Sequence, residues 1–98
     1  MANIVKVSKA MSDQNRIKIL QMLSAGETNV GTVAENLNVE ENLASHHLRV
    51  LASVGFLKSQ KKGREVFYQL NRARLVTLFK DLSKNPTFKE ILQEAAKK

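Results

Sequence analysis

Residues 42 to 74 have the sequence NLASHHLRVLASVGFLKSQKKGREVFYQLNRAR, and this stretch decides how the rest of the chain is interpreted. It contains a segment with helical spacing, a glycine at position 55, and two runs of strand-forming residues on either side of a basic turn. Seven of its residues are basic and one is acidic, so it carries six of the seven net positive charges of the 98-residue chain. Charge concentrated in this way favours binding of a polyanion.

The first half of the stretch predicts a helix over residues 40–54 with two different faces. One side is mainly apolar and consists of Leu43, His47, Val50, Leu51 and Val54. The other side is polar and consists of Asn42, Ser45, His46, Arg49 and Ser53. Asparagine, serine, histidine and arginine can all hydrogen-bond to base edges or phosphates. We therefore predict that the polar side enters a groove of duplex DNA; the alternative is an ordinary solvated helix face.

The second half of the stretch predicts a β-hairpin with strands at residues 56–60 and 65–70. The turn between them reads Lys61-Lys62-Gly63-Arg64 and contains a glycine for a positive φ angle. Three cations at the tip of such a ribbon are placed to contact phosphates or the adjacent minor groove. The alternative is a hairpin kept soluble by exposed charge. Two further basic residues, Arg72 and Arg74, are candidates for phosphate contact or for binding an acidic partner.

Spacing of apolar residues predicts helices on both sides of this stretch. The first three cover residues 4–11, 13–24 and 29–37 (α1 to α3), with Asp13 and Asn29 as caps of the second and third. After α4 (40–54) and the hairpin, a fifth helix covers residues 72–84 (α5). A sixth (α6) begins at Asn85-Pro86, with apolar positions Phe88, Ile91, Leu92 and Ala95. The expected fold is mainly α with a small β-hairpin wing, in the order α1-α2-α3-α4-β-β-α5-α6. We expect a single winged helix-turn-helix domain over residues 1–98, in which the apolar helices at both ends are candidates for dimerisation.

Several classes of function are excluded by what the sequence lacks. The chain has no cysteine, which excludes disulfides, thiolate metal sites and thiol redox switches. Its two histidines, His46 and His47, are adjacent and point about 100° apart on a helix, so they cannot share a metal ion from one face. No glycine-rich phosphate loop or Gly-x-Ser-x-Gly motif occurs, so we expect neither an enzyme nor a cofactor. No apolar run approaches the length of a membrane span, and we expect a cytoplasmic protein.

The segment from about residue 10 to residue 82 resembles the ArsR/SmtB family of bacterial and archaeal winged-helix repressors. The similarity lies in the strings NRIKIL (15–20), VEENLASHHLRVL (39–51), GFL (55–57) and KGREVFYQL (62–70). The resemblance implies a homodimer joined through the first and later helices. It also implies that each α4 enters a major groove of a nearly palindromic operator, and that an inducer releases the repressor.

This chain differs from the ArsR/SmtB family at the positions where metal-responsive members have their metal ligands. Metal-responsive members place Cys-x-Cys at the start of the third helix, where this chain has Asn29-Val30-Gly31. Others place Asp-x-His in the fifth helix and further ligands about ten residues later, where this chain has Arg72-Ala73-Arg74 and then Asn85 and Phe88. Arginine does not ligate a cation. We therefore predict a regulator that does not respond to metals or thiol reagents.

A second departure lies at the start of the helix that is predicted to contact bases. The family often has Ser-Gln where this chain has Glu40-Glu41. A carboxylate close to phosphate is unfavourable unless Glu41 accepts a hydrogen bond from cytosine N4. We therefore treat Glu41 as a conditional contact.

These observations together predict a homodimeric, sequence-specific repressor of transcription whose partners are double-stranded DNA and a second copy of the chain. The predicted DNA-binding residues are Glu41, Asn42, Ser45, His46, Arg49, Lys61, Lys62 and Arg64. An unknown inducer or partner protein is left open. The alternatives are a DNA-binding protein of low specificity or anti-repressor, a winged-helix protein-interaction module, and a metal sensor with an unusual ligand set.

Overall fold

The structure, a computed structural model, describes residues 4–87, 89–90 and 93. Within them, five helices and three strands have defined bounds. In chain order these are α1 (Ile4–Met11), α2 (Gln14–Ser24), β1 (Thr28–Asn29), α3 (Val30–Leu37), α4 (Glu41–Ser53), β2 (Leu57–Lys62), β3 (Glu65–Leu70) and α5 (Arg72–Ser83). The predicted fold class, mainly α with a small β-hairpin wing, is confirmed. No helix in the described part of the chain is long and apolar enough to cross a membrane.

Side-chain caps begin the second and third helices at the positions that the sequence predicts. The Asp13 carboxylate accepts hydrogen bonds from the backbone N–H groups of Asn15 at 2.8 Å and Arg16 at 3.1 Å. The Asn29 side chain accepts one from the backbone N–H of Thr32 at 2.8 Å. Each cap satisfies backbone donors that have no partner inside the helix. Both cap predictions are therefore confirmed.

The sheet has three strands rather than the two of the predicted hairpin. Its order is β1-β3-β2, and both neighbouring pairs are antiparallel. The extra strand, β1, is two residues long and pairs Thr28 with Tyr68. A strand this short has no alternating pattern of its own and forms because β3 offers a free edge. Since β2 continues to Lys62, the predicted four-residue turn shortens to two residues, Gly63 and Arg64, and Gly63 has a φ of 64°.

The core lies where α2, α3 and α4 pack against one another and against the sheet. Its most completely buried large side chains are Ile19, Leu23, Val33, Leu48 and Leu51. The α4 face in the core is centred on Ala44, His47, Leu48 and Leu51. The prediction that Leu43 faces the core is wrong, because 43% of it is exposed. The helix is rotated so that Leu48, which the spacing argument left out, takes the buried position.

The first and fifth helices leave apolar side chains uncovered. The exposed residues are Val5 and Met11 in α1 and Val76 and Phe79 in α5. Between these helices lies an apolar groove of about 340 Å³, lined by Val7, Met11, Leu20, Phe56, Leu70, Leu75, Leu78 and Phe79. Helical backbone resumes at Pro86, where the Asn85 carbonyl accepts from the Lys89 N–H at 2.9 Å. The predicted apolar positions of the sixth helix, Phe88, Ile91, Leu92 and Ala95, lie outside the described residues.

Candidate nucleic-acid interface

A tight turn joins α3 to α4 and sets the direction of the second helix. Asn38 ends α3 in the left-handed conformation, with a φ of 56°, which asparagine tolerates better than most residues. The next residue, Val39, donates its backbone N–H to the Ala34 carbonyl at 3.0 Å. The two helices therefore form a helix-turn-helix in which α4, the recognition helix from here on, has one face packed in the core and the other turned to solvent.

The solvent side of the recognition helix carries most of the predicted base-contacting residues. Asn42, His46 and Arg49 are exposed, and Ser45 is half-buried. Among the described residues, none lies within hydrogen-bonding distance of the Asn42, His46 or Arg49 side chains. These four residues are called the polar face below. Their donors and acceptors are available to an external partner.

A cleft of about 390 Å³ separates the recognition helix from the wing, which consists of β2, β3 and their turn. Its lining brings together four of the predicted residues, Glu41, Asn42, Ser45 and Arg64, with Asn29, Val30, Gly31, Glu65 and Val66. Two of these lining residues are bonded to each other, because the Asn29 amide donates to the Glu65 carboxylate at 3.4 Å. The helix and the wing therefore form two walls of one polar concavity.

Glu41 lies in this cleft beside the start of α3. Its Oε1 atom is 3.5 Å from the point that a Cβ on Gly31 would occupy. Gly31 is the second residue of α3, and the N-terminal end of a helix stabilises a negative charge. Glu41 itself lies in the first turn of the recognition helix, where the same effect operates. Two helix ends therefore stabilise the exposed Glu41 carboxylate; its position at the start of its own helix follows from the sequence, whereas its position beside α3 required the structure.

The three cations of the wing have different surroundings. The Lys62 ammonium forms an ion pair with Glu27 and lies 5.1 Å from the centre of the Phe67 ring. Arg64 and Lys61 are exposed and have no ion pair or hydrogen bond within the described part of the chain. Arg64 lines the cleft beside the recognition helix, whereas Lys61 lies opposite Val66 in the strand register and is not among the lining residues. Lys61 and Arg64 are therefore the freer of the three cations.

The arginines after the wing have contacts within the fold. The Arg72 guanidinium donates to the Ser24 carbonyl at the end of α2, at 3.2 Å. The Arg74 side chain lies against Gly55, where a Cβ would stand 2.9 Å from its Nε atom. Gly55 also has a φ of 85° and follows the recognition helix. Both arginines thus help to hold helix ends in place.

The two adjacent histidines have different environments, as the sequence predicts. His46 is exposed, whereas only 4% of His47 is accessible. The His47 Nδ1 atom lies 3.2 Å from the Arg16 Nη1 atom, and its Nε2 atom lies 4.0 Å from an Asp13 carboxylate oxygen. Burial lowers the pKa of His47 below its usual 6.5; Asp13 raises it, and the charges of Arg16 and His46 lower it further.

The same contacts act on Asp13. Burial raises the pKa of this carboxyl, but the backbone N–H groups that it caps and the nearby charges of His47 and Arg16 hold it below its usual 3.8. The Arg16 contact to His47 was missed by sequence reasoning. The sequence does place His47 on the core face of its helix, and a buried imidazole requires a polar partner. A partner for His47 could therefore have been expected, although not its identity. Groups of three or more His, Cys, Asp or Glu side chains that could hold a metal ion are absent from the described residues.

The amino-acid sequence is similar to those of known proteins. A profile described as "Bacterial regulatory protein, arsR family" matches residues 13–59. The transcriptional repressor SdpR of Bacillus subtilis is 38% identical over 65 residues, which are 66% of this chain and 72% of SdpR. A cadmium resistance transcriptional regulatory protein, the CadC homolog of Staphylococcus aureus, is 43% identical over 70 residues, which are 70% of this chain and 58% of that protein.

A solved structure supports the same assignment. The homodimeric winged helix-turn-helix DNA-binding domain Mb0332 of Mycobacterium bovis, described as a possible ArsR-family transcriptional regulator, superposes with a TM-score of 0.67 at 27% identity. The match covers 85% of this chain and 80% of that one. The chain therefore belongs to the ArsR family of bacterial regulatory proteins, whose members are winged helix-turn-helix DNA-binding transcriptional regulators and not enzymes.

Proposed function

We propose that the protein is a homodimeric transcriptional repressor that binds a nearly palindromic operator. The polar face (Asn42, Ser45, His46 and Arg49) contacts base edges in the major groove, and Glu41 contributes where a cytosine amino group faces it. The observation that carries the proposal is that one helix has three exposed polar side chains, Asn42, His46 and Arg49, on one face and a buried opposite face. Such a helix presents its side chains in a fixed geometry, which base recognition requires.

The wing supplies contacts to the DNA backbone. Arg64 lines the cleft beside the recognition helix, where a phosphate strand would pass, and Lys61 is exposed near the end of β2. Their charge adds affinity and carries little sequence information. Lys62 contributes less, because it must first leave Glu27. Backbone contacts on one side of the cleft and base contacts on the other fix the orientation of the domain on the duplex.

The dimer forms through the apolar residues that α1 and α5 leave exposed. Val5, Met11, Val76 and Phe79 are large side chains whose exposure is unfavourable in a monomer. The similar Mycobacterium bovis domain is described as homodimeric, which supports a dimer here. Two-fold symmetry then requires two half-sites about one helical turn apart.

The repressor does not respond to metal ions or thiol reagents. The chain contains no cysteine. Arg72 and Arg74 lie in α5, and their guanidinium groups repel cations rather than ligating them. The name of the Staphylococcus aureus relative refers to cadmium resistance, and the absence of thiolates separates this chain from a cadmium-thiolate sensor. Repression is relieved by another signal or by a fall in protein abundance. The protein acts in the cytoplasm, where the chromosome lies.

Selection of bound sequences from random duplexes tests the proposal. We expect a motif with two-fold symmetry and half-sites about ten base pairs apart. At about 150 mM salt, the selected duplex should bind at least ~10³-fold more tightly than a scrambled duplex of equal length and composition. Equal affinity for both duplexes would contradict the proposal and indicate a low-specificity DNA-binding protein. Absence of binding even at low salt would indicate a protein-interaction module.

A further inference from the structure

The Arg16 side chain connects three helices at one point. Its Nε atom donates to the Ala10 carbonyl at 2.7 Å, and its Nη2 atom donates to the Lys9 carbonyl at 2.9 Å. Both carbonyls belong to the last turn of α1, where backbone acceptors have no partner inside the helix; the Lys9 carbonyl also accepts from the Ser12 backbone N–H and hydroxyl. The remaining nitrogen, Nη1, contacts the buried His47 ring in the recognition helix. Arg16 itself lies in the first turn of α2, so it joins α1, α2 and α4.

We propose that Arg16 and His47 are positioning residues that hold the recognition helix in a fixed orientation relative to α1. Because α1 contributes to the proposed dimer interface, this contact sets the separation and relative angle of the two recognition helices. The inference rests on the proposed dimeric operator binding. It adds that Arg16 and His47, which do not contact DNA, determine which half-site spacing the dimer accepts.

The contact requires a neutral His47 ring. Arginine can only donate, so the His47 Nδ1 atom must accept and the ring proton must reside on Nε2, on the side of Asp13. A second proton on the ring would place an N–H group at Nδ1 directly against the Arg16 N–H group. The ring therefore cannot become charged in this position unless Arg16 moves away and releases the end of α1. In the described residues, the charged or titratable groups facing the ring are Arg16 of α2, the α2 cap Asp13, and His46 of α4.

Because the His47 ring must be neutral, the contact between Arg16 and His47 depends on pH. Burial lowers the pKa of His47 below 6.5, so at mildly acid pH the unfolded chain binds more protons than the folded one. The stabilisation provided by the neutral ring is complete above pH 6.5. It decreases as the pH falls from that value towards the lower pKa of the folded state. We expect the orientation of the recognition helix to loosen over the same interval.

Operator binding at two pH values and two spacings tests the inference. The probes are the selected duplex and the same duplex with one base pair inserted between its half-sites. At about pH 7.5, wild type should prefer the selected spacing by about tenfold or more, and at a pH below 6.5 at which the protein is still folded this preference should be smaller. His47→Asn keeps an amide oxygen near the Nδ1 position and does not titrate, so it should retain the preference at both pH values. Arg16→Met should lose the preference at both, while a single half-site binds as in wild type.

Comparison of the two duplexes provides the matched control. Both carry the same half-sites, so any effect of acid on the contacts of the polar face weakens binding to both alike and leaves the ratio of their affinities unchanged. The inference is overturned if His47→Asn loses its preference in acid as wild type does, or if folded Arg16→Met keeps it. If Arg16→Met does not fold, the pH profiles of wild type and His47→Asn decide. A wild-type protein without any preferred duplex at neutral pH overturns the proposed function together with this inference.

Discussion

The recognition helix and the wing both present polar side chains to solvent, but the fold supports them to different degrees. Three residues of the helix, Ala44, Leu48 and Leu51, have no accessible surface at all, and His47 is held by Arg16. In β2, only Leu57 is buried, and the turn that follows β2 is exposed. A rigid helix suits contacts that depend on hydrogen-bond geometry, whereas an exposed ribbon suits phosphate contacts that depend mainly on charge. Support by the core is therefore what separates the proposed specific contacts from the non-specific ones.

The largest difference between the two regions should appear in stability. Leu48→Ala removes a fully buried side chain, and we expect it to lower the free energy of unfolding by about 2–5 kcal/mol. Val66→Ala in the half-buried part of the wing should cost at most about 1 kcal/mol. Chemical denaturation followed by circular dichroism measures both values. Similar losses in the two variants would show that the wing is as deeply anchored as the helix.

Loss of a single helix cation should have the next largest effect, this time on DNA affinity. Arg49→Ala should weaken binding to the selected operator by about 1–3 kcal/mol and leave binding to a scrambled duplex nearly unchanged. Arg49→Lys keeps the charge but not the paired donors, so it separates base contact from phosphate contact. Fluorescence anisotropy on both duplexes measures the effect. Equal losses on the two duplexes would place Arg49 on the backbone instead.

Removal of a wing cation should weaken binding to every sequence alike. For Arg64→Ala, we expect the slope of log K against log salt concentration to become shallower by about one unit. Lys58→Ala removes the same charge from the other end of β2, opposite Gln69 and distant from the turn, and serves as the control. Its salt slope should match that of wild type. A change of base preference in Arg64→Ala would show that the wing contributes to specificity.

The smallest effect on DNA affinity should come from the ion pair between Lys62 in the wing and Glu27, the residue before β1. Lys62 and Glu27 are both partly exposed, so their interaction contributes no more than about 1 kcal/mol. Glu27→Gln frees Lys62 and should tighten binding to all duplexes by less than that amount. In a Lys62→Ala background the same substitution should have no such effect, which a double-mutant cycle measures. Tightening of equal size in both backgrounds would show that Glu27 acts on the DNA directly.

The parts of the fold that the sequence predicts are those determined by local spacing. The caps at Asp13 and Asn29, the helix boundaries around the tight turn and the glycine at position 63 all follow from residues close together in the chain. The rotation of the recognition helix does not follow from them, because Leu43 and Leu48 are both compatible with an apolar helix face. The choice between them depends on the shape of the core.

The missed features of the site connect residues that are distant in sequence. Arg16 and His47 are 31 positions apart, and Glu27 and Lys62 are 35 apart. The short strand β1 likewise exists only through its pairing with β3. No local pattern indicates such pairs. Sequence reasoning therefore proposed which side chains would contact DNA, but the contacts that orient the recognition helix and restrain Lys62 required the three-dimensional structure.

The most direct test is to repeat the selection from random duplexes with one variant of each region. The polar face is proposed to contact bases and the wing only the backbone, so Arg49→Ala should return a motif that has lost its preference at one symmetric position in each half-site. Arg64→Ala should return the wild-type motif at lower overall affinity. The opposite pattern, an unchanged motif from the helix variant and an altered one from the wing variant, would contradict the account.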